Sequence, residues 1–397
     1  MFVYFSVLLT FALLSFGAVL PHSWTALFIA WVAGFAGLIL IRAIRGSSVD
    51  LRFLVLVVIL MALSPVLGLR YAVGLSAAIW AWHASTTNSA ILRLFRFLLV
   101  LGVAEALLGL YQHFAAPGWI FGYQNVGSPV SGTLINRNHF AGLLEMLIPI
   151  SFGLAYAASG RENDPGKAYV FVLAGACMAV ALAFSLSRMG LISFVTTMVL
   201  MGILIRLRNR DKKFGTALGL ALFGLFFIGT LWIGIDSIIQ RFEENKGDVI
   251  VEETRASVFR DTLRMISQNP LGIGSDNYRD KFRQYQTTHT ESLFDHAHND
   301  YLETAAEWGI PVGVIFWALI WSIQILCIWR FVVSESPEKR GILLACAGSM
   351  FSLLLHSFVD FNLQIPSNAI LFFAIVGIAA RLVMSPRSRT FPRADLA

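Results

Sequence analysis

Long apolar runs separated by short polar connections make up most of the sequence. A membrane-spanning helix needs about 17–25 mostly apolar residues, and about 12 runs approach that length. The fourth is the shortest and could also be a re-entrant or interfacial segment. The predicted spans are residues 2–20, 24–41, 52–69, 71–84, 97–114, 139–158, 167–185, 190–206, 214–235, 306–329, 341–358 and 366–384. The pattern predicts an all-α fold, a polytopic membrane helix bundle.

Polar side chains are concentrated in residues 295–309, at the start of the tenth predicted span. If Asp295 caps a helix, His298 lies near its first turn. The polar face of that helix would consist of Asn299, Glu303 and Glu307. A capped surface helix that enters a membrane span would show the same pattern.

Composition excludes a soluble domain, because 57% of the residues are hydrophobic, 14% are charged and the mean hydropathy is +0.70. The three cysteines lie inside apolar runs, so we interpret them as small buried hydrophobic residues rather than bridges or ligands. The net charge of +6 does not imply nucleic acid, since membrane topology already requires basic inner loops. We predict a single transmembrane domain over residues 1–397.

Basic residues predict the orientation of the bundle. With both termini in the cytoplasm, 19 of the 30 Lys and Arg residues lie inside, and only 3 lie in short outer connections. Residues 236–305 form the longest connection, and under this topology they face outward. Their Gly and Pro breaks predict a partly helical segment that caps the bundle and its candidate site.

The unusual polar clusters all fall on the outer side of this topology. They are Asn136-Arg137-Asn138-His139, Ser185-Leu186-Ser187-Arg188, Arg255 with Arg260, His296 with His298 and Asn299, and His356 with Asp360, Asn362 and Gln364. Guanidinium groups match phosphate oxygens in pairs, and amides and carboxylates suit sugar hydroxyls. The clusters predict a membrane-embedded site for a lipid-linked phosphosugar.

Simpler explanations exist for individual residues. Arg188 could snorkel to the interface, and the clusters around Asn136 and Asp360 could be helix caps or interface anchors. Glu105 and Glu145 lie within predicted spans, where a carboxylate is either functional or buried in a neutral or hydrogen-bonded state.

His296 and His298 could also ligate a metal together with Asp295 and Asp300. The supporting Glu and His residues do not recur at a second position with helix spacing. We therefore predict no metal.

Four motifs together resemble the bacterial O-antigen ligase and polymerase family and follow its order. They are Thr133-Leu-Ile-Asn-Arg-Asn-His-Phe-Ala-Gly-Leu-Leu-Glu-Met-Leu-Ile-Pro149, Ser185-Leu-Ser-Arg-Met-Gly190, His296-Ala-His-Asn-Asp-Tyr-Leu302 and His356-Ser-Phe-Val-Asp-Phe-Asn-Leu-Gln-Ile-Pro366. The likeness runs from about residue 97 to 384. One position of the ligase pattern carries Val312, with the small residue Gly313 one place late, so ligase and polymerase both stay open.

The resemblance implies a multi-pass protein of the bacterial inner membrane that acts in lipopolysaccharide or exopolysaccharide synthesis. Such a protein is an inverting glycosyltransferase that uses no metal, cofactor or nucleotide sugar. It moves a glycan from undecaprenyl pyrophosphate to a hydroxyl of a glycan or lipid A core acceptor at the periplasmic face, in contact with membrane lipid. The alternative is a transporter or flippase of lipid-linked oligosaccharides, which needs a polar cavity at mid-membrane that opens to both sides in turn.

Within that mechanism we expect Arg188 and Arg255 to bind the pyrophosphate and offset its developing charge. We expect His298 to accept the proton of the acceptor hydroxyl. On a helix His296 would point about 200° away from His298, and the family motif aligns with His298. The residues expected to position sugars or brace the base are Asn136, Arg137, Asn138, His296, Asn299, Asp360 and Gln364.

Overall fold

The computed structural model describes residues 2–44, 55, 59, 62–63, 66–125, 128–161, 165–208, 245–287 and 294–385. The helices in these ranges are α1 (Phe2–Leu14), α2 (Pro21–Ile44), α3 (Leu69–Ala84), α4 (Asn88–Phe114), α5 (Arg137–Arg161), α6 (Pro165–Phe184), α7 (Arg188–Arg208), α8 (Asn245–Gln268), α9 (Tyr278–Phe282), α10 (Asp300–Trp308), α11 (Ile310–Val333), α12 (Pro337–His356) and α13 (Pro366–Met384). Short 3-10 turns occupy Phe16–Ala18 and Asn362–Gln364. One antiparallel hairpin pairs β1 (Trp119–Ile120) with β2 (Tyr123–Gln124).

The chain is an all-α, multi-pass membrane protein. Among the described residues, α5, α6, α7, α11 and α13 are long and apolar enough to cross a membrane. Helices α1 to α4 and α12 coincide with further predicted spans, and α3, at 16 residues, is short for a span, as the sequence indicated. Predicted span 214–235 and most of span 52–69 lie outside the described residues. The total of about twelve spans therefore stays a prediction.

Helix α5 is the central helix of the bundle, because its apolar stretch is entirely buried among other helices. It packs closely along α12 where small residues face each other: a Cβ on Gly341 would lie 2.5 Å from the carbonyl oxygen of Gly153. The hydroxyl of Ser352 donates to the carbonyl oxygen of Glu145 at 2.9 Å. In lipid, helices associate through such close approach and interhelical hydrogen bonds. Helix α5 can therefore carry polar side chains that never meet lipid.

The helix ends meet at two opposite ends of the bundle. At the first, which we call the site end, Gly17 packs against Leu134 and Ile365, and the indole of Trp308 donates to the carbonyl oxygen of Leu67 at 3.1 Å.

At the second end, which we call the basic end, guanidinium groups bond to carbonyl oxygens of neighbouring helix termini. Arg208 donates to Ser334 at 3.3 Å, Arg330 to Val383 at 2.6 Å and Arg381 to Trp82 at 3.1 Å. That this end faces the cytoplasm stays a prediction from the distribution of basic residues.

The helix predicted from Asp295 begins instead at Asp300. Asn299 is its N-cap, and its side-chain oxygen accepts a hydrogen bond from the backbone nitrogen of Leu302 at 2.9 Å. Residues 295–299 are non-helical, and His298 has a positive φ of 50°. The prediction that Asp295 caps this helix is therefore wrong, and His298 lies just before the N-cap rather than within the helix.

The tenth predicted span is divided into two helices. Gly309, with φ 84°, separates α10 from α11, and a Cβ at this position would lie 2.5 Å from the carbonyl carbon of Leu271. The predicted polar face of α10 is not a solvated surface, because Glu303 and Glu307 are both buried. The loop before α9 contacts this helix through backbone bonds from Ile273 and Gly274, 2.9 and 3.0 Å long.

Helices α8, α9 and α10 share a small apolar core separate from that of the bundle. Its buried members are Val258, Met265, Ile266, Tyr278, Phe282, Ala297 and Ala306. The extent of a capping segment over residues 236–305, and its placement in the periplasm, stay predictions.

Candidate active site

A cavity of about 680 Å³ lies at the site end. Its apolar wall includes Phe16, Val19, Pro21, Trp24, Leu134 and Ile365. Its polar wall includes Arg70, Asn136, His139, Asp295, His296, His298 and Gln364. The two walls suit a ligand that is apolar on one side and polar on the other.

Three imidazoles surround the ring of Phe361 at the cavity. His296 stacks on it with ring centroids 4.4 Å apart, and His139 and His298 meet it edge-on at 4.8 Å. His296 and His298 therefore line the same cavity and do not point in opposite directions. The predicted separation assumed a helix, and it fails because residues 295–299 form a turn that ends in the positive φ of His298.

Asp360 lies behind these rings and faces three histidines. Its carboxylate oxygens are 3.8 Å from Nε2 of His139, 3.9 Å from Nδ1 of His298 and 3.7 Å from Nε2 of His356. These distances exceed those of hydrogen bonds, so the contacts are electrostatic. Burial opposes ionisation of Asp360, but the facing imidazoles outweigh it and hold the pKa of Asp360 well below its usual value. Asp360 is therefore a carboxylate at neutral pH.

A second acid–histidine pair continues this cluster into the bundle. Nδ1 of His356 lies 3.1 Å from Oε1 of Glu145, and both side chains are buried. Acid and imidazole thus alternate from Glu145 through His356 and Asp360 to His298. Sequence reasoning placed His139 and His356 in motifs but gave neither a role in the site.

The segment that carries the histidines is tied down on both sides. Nδ1 of His296 lies 2.6 Å from Oε1 of Glu303, whose other oxygen accepts the backbone N–H of Ala297 at 2.8 Å. The amide of Asn299 donates to the carbonyl oxygen of Phe358 at 2.7 Å. These bonds fix residues 295–299, which we call the histidine turn, against α10 and against the connection from α12 to α13.

Asp300, the first residue of α10, is buried beside this turn. Its carboxyl accepts a hydrogen bond from the hydroxyl of Ser357 at 2.7 Å and from the backbone nitrogen of Leu363 at 3.3 Å. Burial raises the pKa of Asp300 well above its usual value despite these two bonds.

The structure brings several of the predicted site residues together at the cavity. Those that line it are Asn136, His296, His298 and Gln364, with Asp360 behind them. Asn299 is instead a helix cap. Asn138 and Arg137 begin α5 beside the cavity without lining it, and their backbone nitrogens donate to Asn136 at 2.8 Å and to Ser128 at 3.3 Å.

The two arginines predicted to bind pyrophosphate are not among the residues that line the cavity. Arg188 begins α7 at the site end. Arg255 lies on α8, close enough to interact electrostatically with His356. Arg70, which sequence reasoning passed over, does line the cavity. Its one signal in the sequence was its place among the three basic residues of the short outer connections.

Within the described ranges, no group of three or more His, Cys, Asp or Glu residues has the arrangement to hold a metal ion. The acids considered as ligands beside the histidines have other partners. Asp295 forms an ion pair with Arg279 at 3.0 Å, and Asp300 is bonded to Ser357.

The fold and the site define a multi-pass helical membrane protein with an amphipathic cavity and an acid–histidine cluster at one end. Residues 173–317 match the O-antigen ligase family, so this stretch of the chain is similar to that family. Its members are glycosyltransferase-like enzymes of O-antigen and polysaccharide ligation or polymerisation. The matched stretch contains Arg188, Arg255, His296 and His298, whereas Asp360 lies outside it. The comparison with curated proteins gave no significant match.

Proposed function

We propose that this protein transfers a glycan from undecaprenyl pyrophosphate to a hydroxyl acceptor at the periplasmic face of the bacterial inner membrane. The observation that carries the proposal is the cavity, which is lined both by apolar side chains and by histidines and amides. A lipid-linked glycan combines an apolar chain, an anionic pyrophosphate and sugar hydroxyls, and these groups match the two walls. The O-antigen ligase match supports the same conclusion.

The proposed reaction is a single displacement. The acceptor oxygen bonds to the anomeric carbon from the face opposite the pyrophosphate, so the configuration inverts. The bond between that carbon and the pyrophosphate oxygen breaks, and its electron pair leaves with undecaprenyl pyrophosphate. His298 accepts the hydroxyl proton. No step requires a metal ion.

The geometry supports His298 as the base because it lines the cavity while its Nδ1 faces Asp360 at 3.9 Å. A carboxylate behind an imidazole orients the ring and stabilises the imidazolium that forms on proton transfer. Asp360 suits this role, since its lowered pKa keeps it ionised.

The remaining residues contribute binding in this proposal. Asn136 and Gln364 line the cavity and contact sugar hydroxyls. Arg188 and Arg255 lie away from the lining and act on the pyrophosphate through their charge, an effect that operates beyond direct contact.

The test uses the purified full-length protein in vesicles with an undecaprenyl-pyrophosphate-linked glycan and an acceptor glycan. We expect release of undecaprenyl pyrophosphate that depends on the acceptor, and a product of inverted anomeric configuration. Omission of the acceptor controls for hydrolysis. A carrier would move the donor and leave the sugar–phosphate bond intact, so transport without release contradicts the proposal.

A further inference from the structure

Arg70 is the one Lys or Arg side chain among the described residues that line the cavity. It lies in the first turn of α3 and is half-buried. It shares the cavity with the catalytic candidate His298 and with the apolar residues Phe16 and Trp24. The amino-terminal end of a helix also favours a bound anion. A permanent cation thus shares the cavity with apolar side chains and with the histidines.

The backbone before Arg70 is held in place by several contacts. The indole of Trp308 donates to the carbonyl oxygen of Leu67 at 3.1 Å. The hydroxyl of Ser275 donates to the carbonyl oxygen of Val66. The rings of Tyr71 and Trp308 meet edge-on with centroids 4.6 Å apart. Arg70 is therefore positioned by α10 and by the loop that precedes α9.

Two carboxyl groups near Arg70 are already paired or mostly uncharged. Asp295, on the same cavity, is already paired with Arg279 at 3.0 Å. Burial, together with the nearby Glu303, raises the pKa of Glu307 to about 9. Glu307 is therefore mostly uncharged at pH 7 and does not offset the charge of Arg70.

We infer that Arg70 binds the pyrophosphate of the lipid-linked donor. This inference rests on the proposed function and names a residue for its substrate. With the isoprenoid chain along the apolar wall and the pyrophosphate at Arg70, the first sugar lies toward His298. The planar guanidinium can pair two phosphate oxygens at once, which a lysine cannot do.

The experiment measures binding of undecaprenyl pyrophosphate to the full-length protein in phosphatidylcholine nanodiscs. We expect Arg70→Gln to weaken binding about ten- to a hundredfold, the usual effect of losing hydrogen bonds to a charged group. Arg70→Lys should fall between Arg70→Gln and the wild type. The matched control is Arg264→Gln, an exposed arginine on α8 that does not line the cavity, and it should bind like the wild type.

Thermal melting verifies that each variant is folded. If Arg70→Gln does not fold, the more conservative variant Arg70→Lys is used for the test. The inference then requires Arg70→Lys to bind undecaprenyl pyrophosphate more weakly than the wild type does. Wild-type affinity in the folded variant overturns the inference. A competition experiment provides a second test. If phosphatidylglycerol displaces undecaprenyl pyrophosphate as effectively as undecaprenyl phosphate does, the inference is also overturned, because the site would then recognise lipid headgroups in general.

The two proposals can fail separately. Arg70-dependent binding without any glycan transfer by the wild-type protein would contradict the proposed function and leave the role of Arg70 standing. Glycan transfer by the wild-type protein, with ligand binding that is unchanged in Arg70→Gln, would support the proposed function and contradict the role of Arg70.

Discussion

Three histidines face the carboxylate of Asp360, and their exposure decides which of them can act on a ligand. The side chain of His298 is 24% exposed, compared with 7% for His139 and 1% for His356. Only an accessible imidazole can take a proton from an acceptor that enters the cavity. His139 and His356 are buried and instead interact electrostatically with Asp360.

We predict that His298→Ala reduces glycan transfer about 10²–10⁴-fold, the usual cost of losing a general base, while binding of undecaprenyl pyrophosphate persists. His296→Ala should retain measurable turnover, because His296 contacts Phe361 and Glu303 and mainly fixes the turn. The initial rate of undecaprenyl pyrophosphate release at matched expression measures both. A wild-type rate for His298→Ala would show that the base is another group.

Lysine substitutions test how Arg188 and Arg255 act. If each forms a bidentate contact with pyrophosphate, Arg→Lys should remove most activity, because a point charge replaces a planar fork. If each acts only through its charge, as their positions outside the cavity lining favour, the lysine variants should transfer glycan at near-normal rates. Transfer rates of Arg188→Lys and Arg255→Lys, compared with the corresponding glutamine variants, separate the two mechanisms.

Glu307 predicts a pH dependence of stability. Burial and Glu303 raise the pKa of Glu307 to about 9 in the folded protein, whereas its ordinary pKa is 4.5. Between pH 4.5 and pH 9, Glu307 is therefore protonated in the folded protein and ionised in the unfolded chain. Between these limits the unfolded state binds fewer protons, so the free energy of unfolding falls as pH rises. Glu307→Gln removes this titration, and its Tm should decrease less than that of the wild type from pH 5 to pH 9.

The control for Glu307 is Asp280→Asn, which removes an exposed carboxylate on the neighbouring helix α9. Its Tm profile should follow that of the wild type, because solvent screens an exposed charge. Parallel profiles for Glu307→Gln and the wild type would mean that Glu307 is ionised in the folded protein at neutral pH.

At the scale of elements, the break between α10 and α11 depends on one glycine. Gly309 has φ 84°, and a Cβ there would lie 2.5 Å from the carbonyl carbon of Leu271. We predict that Gly309→Ala destabilises the protein by about 1–3 kcal/mol through backbone strain, with further loss from the clash. It should also lower transfer, because α10 holds the histidine turn.

Gly202 on α7 is the matched control for Gly309. A Cβ at Gly202 would meet nothing within 4 Å. Gly202→Ala should therefore leave the Tm unchanged or raise it slightly, since alanine favours the helix. A decrease in Tm of the same size for both variants would exclude the proposed role of Gly309.

The start of α10 shows why a helix boundary was mispredicted. Asp295 and Asn299 are both good N-cap residues by type, and the local pattern favoured the earlier one. Tertiary contacts decide between them: the side chain of Asn299 donates to Phe358 at 2.7 Å, and the backbone of Asp300 donates to Ser357 at 3.0 Å. Those partners lie more than 50 positions away in the chain.

At the scale of the whole molecule, the segregation of basic residues predicts that the site end faces the periplasm. In a cysteine-free background, Leu271→Cys probes the site end and Glu335→Cys probes the basic end, and both positions are exposed. A membrane-impermeant maleimide should label position 271 once the outer membrane is permeabilised. Position 335 should react only after the inner membrane is opened, and the opposite result would invert the topology.

Hydropathy alone determined the membrane class and the approximate limits of most described helices. The last span, predicted at 366–384, matches α13 (Pro366–Met384) at both ends. Such spans are readable because lipid offers no partners to the backbone, so a helix must carry its own hydrogen bonds along an apolar run. The motifs likewise identified His298, Asp360 and Gln364 as candidates.

Only the tertiary structure decided which of the candidates meet. It placed His296 and His298 on one cavity, added Arg70 to that cavity, and left Arg188 and Arg255 outside its lining. The sequence pattern could not show this, because Arg70 and His298 belong to distant segments that are joined only by contacts such as the bond from Trp308 to Leu67. A local pattern records which face of a helix avoids lipid, whereas a site depends on the packing of helices that are far apart in the chain.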